Sequence, residues 1–154
     1  MAITQQHRIG SGFGPRSTAE EVVDGVDLTG KTVLVTGGYS GLGKETTVAL
    51  ARAGAHVVVP ARRADVARKA LRDTASVEVA ELDLADLDSI RTFSERFLDT
   101  GRAIDVIIAN AGVMAYPQRR VGPGWEAHLA IITSGTSRWS IGCVRRWLGL
   151  ERAW

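Results

Sequence analysis

Residues 32–43 read Thr32-Val33-Leu34-Val35-Thr36-Gly37-Gly38-Tyr39-Ser40-Gly41-Leu42-Gly43, and this stretch decides the fold of the chain. Its first five residues are a short β-branched run bounded by glycines, which is typical of a buried strand. The glycines that follow lead directly into a helical pattern. A strand that turns into a helix in this way brings backbone N–H groups and the positive end of the helix dipole to one point. The stretch therefore predicts a phosphate-binding turn.

The three glycines of this turn have separate predicted tasks. Gly37 permits the tight turn, Gly41 lets the backbone approach a pyrophosphate, and Gly43 lets the helix pack close to the sheet. The hydroxyl of Thr36 can hold the shape of the loop. The residues predicted to surround the phosphates are Thr36, Gly37, Tyr39, Ser40, Gly41, Leu42 and Gly43. The alternative is a glycine-rich turn that binds no ligand.

Strand and helix patterns alternate along the chain. Predicted strands cover residues 32–36, 56–60, 76–82 and 104–109, and predicted helices cover residues 41–53, 64–72 and 87–98. Ser17 and Glu20 form a capping-box pattern ahead of a further short helix. Residues 117–124 are predicted to be a loop, and residues 125–130 the first turns of another helix. Four strands separated by helices predict an α/β fold with a parallel sheet and right-handed crossovers.

The end of the second strand indicates which dinucleotide is bound. An acidic residue there would accept a hydrogen bond from the 2′-hydroxyl of NAD, whereas an arginine would neutralise the 2′-phosphate of NADP. The chain reads Pro60-Ala61-Arg62-Arg63 and has no acidic residue until Asp65. This favours NADP over NAD, with Arg62 as the main phosphate contact and Arg63 as the second. The alternative is that both arginines are the solvated start of a helix.

Two further segments follow predicted strands, at the sheet edge where ligands bind in such folds. Asp83 can accept from the adenine amino group, and Leu84 supplies the next backbone N–H. The alternative role for Asp83 is a helix cap, for which Asp86 is the better candidate. In Asn110-Ala111-Gly112, the asparagine is predicted to tie neighbouring strand ends together and the glycine to leave room for the cofactor.

Together, Thr36-Gly-x-x-x-Gly41-x-Gly43, the Asp83-Leu84 pair and Asn110-Ala111-Gly112 resemble the short-chain dehydrogenase/reductase family. The segments Gly-Tyr-Ser-Gly-Leu-Gly-Lys-Glu and Gly124-Trp125-Glu126, with the Ala-Arg pair after the second strand, are similar to its retinol-dehydrogenase-like branch. The resemblance covers about residues 17–130. One departure is small: the family often has two asparagines before Ala-Gly, whereas this chain has Ala109-Asn110.

The resemblance implies an incomplete Rossmann-like unit of about four strands in the order 3-2-1-4, with helices on both faces. The fourth strand would be an exposed edge, through which copies of the chain could associate. It also implies a nicotinamide dinucleotide as ligand and hydride transfer between that dinucleotide and a small alcohol or carbonyl compound.

The family's catalytic residues have no counterpart in the 154 residues. Family members use a Tyr-x-x-x-Lys pair with a serine and an asparagine, and the lysine ammonium lowers the pKa of the tyrosine so that it can exchange a proton. Tyr39 is followed four positions later by Gly43, and Tyr116 by Arg120. No catalytic residue is therefore assigned, and the chain is expected to be inactive as given. A substrate is expected only for its full-length ancestor.

Residues 131–154 differ in composition from the rest. They carry four Arg and one Glu, while residues 1–130 carry 15 Lys+Arg and 16 Asp+Glu, and three of the four tryptophans and the single cysteine lie in this tail. The tail can be back-translated with permitted codons and one base added at Ile131. The resulting reading frame can encode Ile-Asn-His-Leu-Gly-His-Phe-Ala-Leu-Val-Asn-Arg-Leu. The family continues with Asn-His-x-Gly-His-Phe at this point. The hypothesis is a one-base deletion that puts the tail out of frame and produces an early stop.

The chain thus divides into a flexible arm at 1–16, a partial dinucleotide-binding domain at 17–130 and the tail at 131–154. The alternatives for the tail are a cationic, tryptophan-bearing segment that contacts an anionic membrane or nucleic acid, and a helix that binds another partner. Either would make the chain a non-catalytic NADP(H)-binding module. Gly135, Gly142 and Gly149 would interrupt a helix there, and neither nucleic acid as a partner nor a membrane span is expected.

Composition excludes several other classes. No apolar run approaches the length of a membrane span, and the polar N-terminus lacks a signal core, so a cytoplasmic location is expected. The single cysteine, Cys143, allows no internal disulfide and gives no metal-ligand spacing.

Overall fold

A four-stranded parallel sheet organises the computed structural model, which describes residues 10–113, 117–122 and 124–135. Its strands are β1 (Thr32–Val35), β2 (His56–Ala61), β3 (Val77–Glu81) and β4 (Val106–Ile108). They lie in the order β3-β2-β1-β4. The predicted strand order is therefore confirmed, and β1 is a central strand with β2 on one side and β4 on the other.

Helices alternate with these strands. They are α1 (Ala19–Val23), α2 (Gly41–Arg52), α3 (Ala64–Leu71) and α4 (Leu87–Asp99). The observed bounds of the predicted strands β1 to β4 and helices α2 to α4 lie within two residues of the predicted bounds. Differences of this size are usual where helices fray and strands stop pairing. No helix in the described part of the chain is both long enough and apolar enough to cross a membrane.

The two faces of the sheet are buried under different helices. Alternate residues of a strand point to opposite faces, and here Leu34 and Val58 pack with Ile90, Phe93 and Phe97 of α4. On the other face, the buried residues Val33, Val35, Val57, Val59 and Leu71 pack with partly buried residues of α2. Because both faces are covered, β1 and β2 are apolar along almost their whole length.

β4 is a short strand of three residues at one edge of the sheet. β4 pairs with β1 through three residues, whereas β2 and β3 pair through five. Within the described residues its other side pairs with no strand, and Val106 is 43% exposed. Association of two copies through this edge stays a prediction.

The predicted cap of α1 is wrong by one residue. Thr18, not Ser17, is the N-cap; its hydroxyl accepts from the Glu21 N–H, and the Glu21 carboxylate accepts from the Thr18 N–H. Ser17 instead accepts from the Gly14 N–H at 3.0 Å and closes the preceding turn. Glu20 is thereby free of the cap and forms an ion pair with Arg52 of α2.

The region after β4 also differs from its prediction. The predicted loop contains β5 (Arg120–Val121), which pairs antiparallel with β6 (Trp125–Glu126) at the start of the predicted helix. A π-helical segment, Leu129–Gly135, comes later than expected. The Glu126 carboxylate accepts from the His128 and Leu129 N–H groups, so it caps this segment and delays the helix until after β6.

Charged side chains cluster at the amino-terminal end of the sheet, away from the glycine turn. Arg102 donates to both carboxylate oxygens of Glu78, at 2.7 and 3.2 Å, and His56 Nε2 lies 3.2 Å from Glu78 Oε2. The Arg102 guanidinium also lies over the Phe97 ring, 5.1 Å from its centre. The bond from Arg102, aided by His56, holds the pKa of Glu78 below its usual value.

This cluster predicts a loss of stability in acid. A carboxylate with a lowered pKa in the folded state stabilises that state above its unfolded pKa of about 4.3, and the contribution is lost as pH falls through the folded pKa. Both Glu78→Gln and Arg102→Met are therefore expected to flatten the dependence of unfolding free energy on pH below about 5. Urea unfolding at a series of pH values measures this slope, and an unchanged slope in both variants would contradict it.

Candidate functional site

A cleft of about 340 Å³ opens at the carboxyl ends of the four strands. Most of the residues predicted to bind a dinucleotide line it: Thr36, Gly37, Tyr39, Ser40, Leu42, Gly43, Arg62, Asp83, Leu84, Asn110, Ala111 and Gly112. Gly41 and Arg63 are the two predicted residues outside this lining. The sheet topology thus brings together segments that are far apart in sequence, and the volume falls in the range of small-molecule sites.

Five residues of the lining were missed by the sequence prediction: Pro60, Ala61, Leu82, Val113 and Ile131. All five are apolar or small, and they carry no chemical signal of their own. Three of them are adjacent to predicted site residues at strand ends, so extending each motif by one or two positions would have found them. They supply the apolar walls expected in such a cleft.

Two glycines of the turn pack tightly against the residues that follow β4. A Cβ at Gly43 would lie 2.4 Å from both Asn110 Nδ2 and the Gly37 carbonyl oxygen. A Cβ at Gly37 would lie 3.1 Å from the Ala111 Cα, and Gly37 also has a φ of +66°. The helix and the fourth strand therefore approach the turn as closely as the predicted packing role of Gly43 requires.

Hydrogen bonds join the turn to the end of β4. Asn110 Nδ2 donates to the carbonyl oxygen of Thr36 at 3.0 Å, and the Ala111 N–H donates to the Thr36 hydroxyl at 3.0 Å. The predicted tie between strand ends is present, and it works through both the backbone and the side chain of Thr36. These bonds fix the floor of the cleft where β1 and β4 end.

A second buried hydroxyl lies under the turn. A Cβ at Gly38 would lie 2.5 Å from Thr47 Oγ1 and 3.1 Å from the Val35 carbonyl oxygen. Thr47 is fully buried, and its Oγ1 has no hydrogen-bond partner within the described residues. The sequence prediction assigned no role to Gly38 or Thr47, although their contact sets how deeply the turn sits on α2.

The N-terminus of α2 is open towards the cleft. Ser40 is the N-cap and has an extended backbone, but its side chain makes no capping hydrogen bond. The first N–H groups of a helix have no partner within the helix, and they attract anions together with the helix dipole. A Cβ at Gly41 would meet nothing within 4 Å, and Leu42 is 84% exposed. This end of α2 can therefore accept a phosphate group.

The two arginines after β2 occupy different positions. Arg62 is exposed and lines the cleft. Arg63 is the N-cap of α3, exposed, and makes no side-chain capping bond. Of the two arginines, Arg62 is the one that lines the cleft, and its ranking as the main phosphate contact stays a prediction.

The loop after β3 holds Asp83 by three hydrogen bonds. Asp83 Oδ1 accepts from the Ala85 N–H at 2.9 Å, the Asp83 N–H donates to Ser89 Oγ at 2.9 Å, and the Asp83 carbonyl accepts from the Asp86 N–H at 3.2 Å. Asp86 is the N-cap of α4 and accepts from the Asp88 N–H, which confirms the predicted cap. Asp83 is thereby left to face the cleft.

Neither tyrosine of the chain is followed four positions later by a lysine. Tyr39 lies in the glycine turn and packs against the core beneath it. Tyr116 lies outside the described residues. Within the parts of the chain that are described, no group of His, Cys, Asp and Glu side chains could hold a metal ion.

Comparison with known sequences identifies relatives for this fold and cleft. A family profile described as short chain dehydrogenase matches residues 31–134. Retinol dehydrogenase 12 of Bos taurus is 42% identical over 112 residues, which is 69% of this chain and 35% of the relative. Short-chain dehydrogenase TIC 32 B of Brassica napus is 35% identical over 126 residues, or 78% of this chain and 39% of the relative.

Solved structures show the same architecture. An uncharacterized protein from Mycobacterium paratuberculosis superposes with a TM-score of 0.74 at 37% identity, covering 84% of this chain and 46% of that one. A metagenomic short-chain oxidoreductase in complex with NADP has a TM-score of 0.69 at 25% identity, covering 82% of this chain and 59% of that one.

The chain spans between 35 and 39% of the length of the two curated relatives named above. The matched part nevertheless contains β1 to β4, the glycine turn and the cleft. Profile, relatives and fold agree, and this chain belongs to the short-chain dehydrogenase family.

Proposed function

We propose that the cleft binds NADP(H) for hydride transfer between the dinucleotide and an alcohol or carbonyl compound. The observation that carries this proposal is the position of Arg62, an exposed side chain in the lining at the end of β2. An acidic residue at this place would accept from the ribose 2′-hydroxyl of NAD, whereas a guanidinium neutralises the 2′-phosphate of NADP. NADP is therefore the preferred ligand.

The other parts of the lining suit the remaining groups of the dinucleotide. The open N-terminus of α2 and the glycine turn would hold the pyrophosphate, and Asp83 would accept from the adenine amino group. Gly112 leaves room for the cofactor beside β4. The nicotinamide ring supplies or takes up the hydride when it is bound. Support comes also from the gluconate 5-dehydrogenase of Burkholderia cenocepacia, a similar fold solved with NADP and tartrate.

We infer that the 154-residue chain binds the dinucleotide without turning it over. Tyr39 lines the cleft, and the residue four positions later is Gly43 rather than lysine. Without a lysine at that spacing, the chain lacks the Tyr-x-x-x-Lys pair with which the family exchanges a proton. The family's hydride transfer would then lack its general acid or base.

Titration of the chain with NADPH, followed by the fluorescence of the reduced nicotinamide, tests this function. Saturable binding that is tighter for NADPH than for NADH is expected, and equal or absent binding of both nucleotides would overturn the proposal. A carbonyl-reduction assay on the same sample is expected to show no oxidation of NADPH. Turnover there would contradict the inferred inactivity but leave the binding proposal intact.

We also propose that residues 131–154 are encoded out of frame. The string obtained by restoring one base at Ile131 is the family's own continuation, and the family profile matches only as far as residue 134. Reading the gene tests this: the shifted register is expected to encode a serine and a Tyr-x-x-x-Lys. Their absence from that register would refute the idea.

A further inference from the structure

Ser89 belongs to helix α4 and forms a hydrogen bond to the loop after β3. It lies in the first turn of α4, next to Ile90, which is buried in the core with Leu34 and Phe93. Its hydroxyl accepts from the Asp83 N–H at 2.9 Å, across six positions of sequence. The core-packed helix thus serves as a fixed reference for the loop after β3.

The hydroxyl of Ser89 is not used to cap its own helix. A serine in the first turn of a helix commonly bonds to nearby N–H groups of that turn. Here Asp86 already caps α4 by accepting from the Asp88 N–H at 2.9 Å. The Ser89 oxygen therefore accepts from the loop after β3 instead of from its own helix.

The hydrogen bonds around Asp83 set how its carboxylate faces a ligand. Asp83 Oδ1 accepts from the Ala85 N–H, so Oδ2 is the oxygen that has its full accepting capacity left for a bound molecule. The direction of Oδ2 depends on the backbone of Asp83, and the Ser89 bond and the buried neighbour Leu82 hold that backbone from two sides. Asp83 itself lines the cleft.

We propose that Ser89 is a positioning residue for purine recognition: by holding the Asp83 backbone, it aims the carboxylate at the exocyclic amino group of adenine. This inference rests on the function proposed above. Ser89 does not line the cleft, so it acts through Asp83 alone. Removing the Ser89 hydroxyl should therefore weaken only the contact between Asp83 and the adenine amino group.

A comparison of two ligands isolates that contact. NADPH carries the adenine amino group, and its hypoxanthine analogue carries a carbonyl oxygen in the same place. The unsubstituted chain is expected to bind NADPH about tenfold more tightly than the analogue, because a hydrogen bond to a charged group is lost. Ser89→Ala is expected to reduce this preference to about threefold or less by weakening NADPH alone. Ser89→Thr keeps the acceptor and is expected to keep the preference.

Ser94→Ala is the matched control, since it removes a hydroxyl from the same helix that donates to the Ile90 carbonyl and does not reach the loop. It is expected to keep the tenfold preference. The inference is overturned if Ser89→Ala weakens the binding of both ligands equally, or if it keeps the full preference for NADPH over the analogue. If Ser89→Ala does not fold, Ser89→Cys provides a weaker acceptor for the same comparison.

The two levels of the proposal fail in different ways. A chain that binds neither ligand refutes the proposed function and this inference with it. An unsubstituted chain that binds both ligands equally refutes the adenine contact of Asp83 while leaving NADP binding in place. Only the response of the ligand preference to Ser89→Ala decides the role of Ser89.

Discussion

Gly43→Ala is expected to weaken NADPH binding by about 100-fold and to lower the free energy of unfolding by about 2–3 kcal/mol. The new Cβ would lie 2.4 Å from both Asn110 Nδ2 and the Gly37 carbonyl oxygen. One of these atoms is backbone and the other is held by the Thr36 carbonyl, so neither can move without opening the turn. Fluorescence titration with NADPH and urea unfolding measure the two effects.

Two other glycines separate this packing effect from a general cost of alanine. Gly14→Ala introduces a methyl group where nothing lies within 4 Å and should change neither quantity. Gly41→Ala also meets no protein atom, but its φ of +53° and its place at the phosphate approach predict weaker binding with a smaller loss of stability. If Gly43→Ala bound NADPH as the unsubstituted chain does, the close packing of α2 on the turn would not matter for the ligand.

Arg62→Glu is expected to weaken NADPH binding by about 100-fold or more while changing NADH binding by less than about threefold. The substitution removes a charge-assisted hydrogen bond to the 2′-phosphate and adds a carboxylate that repels it. The same carboxylate can accept from the ribose 2′-hydroxyl of NADH, so the preference of the chain should reverse. Parallel titrations with the two nucleotides measure this.

Arg63→Glu is the matched control, because Arg63 is also exposed but lies outside the lining of the cleft. It is expected to weaken NADPH much less than Arg62→Glu does. Added salt should weaken NADPH binding more than NADH binding in the unsubstituted chain, since NADPH carries the extra 2′-phosphate charge and salt screens exposed charges, with a Debye length of about 10 Å at 0.1 M ionic strength. Equal losses for both nucleotides in Arg62→Glu would contradict a 2′-phosphate contact.

The parts of the fold that could be predicted are those with strong local signals. The run from Thr32 to Thr36 is apolar and β-branched because β1 is buried on both faces, and the glycines after it mark the turn by their spacing alone. Most of the candidate site followed, because ligands in such sheets bind where the strands end.

The errors lie where neighbouring signals compete. Ser17 with Glu20 and Thr18 with Glu21 satisfy the same capping pattern, and only the turn closed by Ser17 and Gly14 decides between them. The predicted helix at residues 125–130 is replaced at its start by strand β6, which pairs with β5. The Glu126 carboxylate then caps the helical segment that follows β6. Such choices depend on tertiary contacts that a local pattern does not contain.

The contact between Gly38 and Thr47 could not be predicted for a different reason. It joins the turn to the second half of α2, and neither residue type signals a contact by itself. The role of Ser89 is similar, since a serine in the first turn of a helix is ordinarily interpreted as a cap.

The short strand β4 gives ligand binding a consequence for folding. Thr32 and Asp105, which join the start of β1 to the start of β4, are 73 positions apart, so closing this loop costs more chain entropy than joining β1 to β2. β4 should therefore dock late. A dinucleotide that contacts the residues just after β4 selects molecules in which this docking is complete and raises their population by mass action. The last step of folding and the recognition of the ligand would then depend on the same three-residue strand.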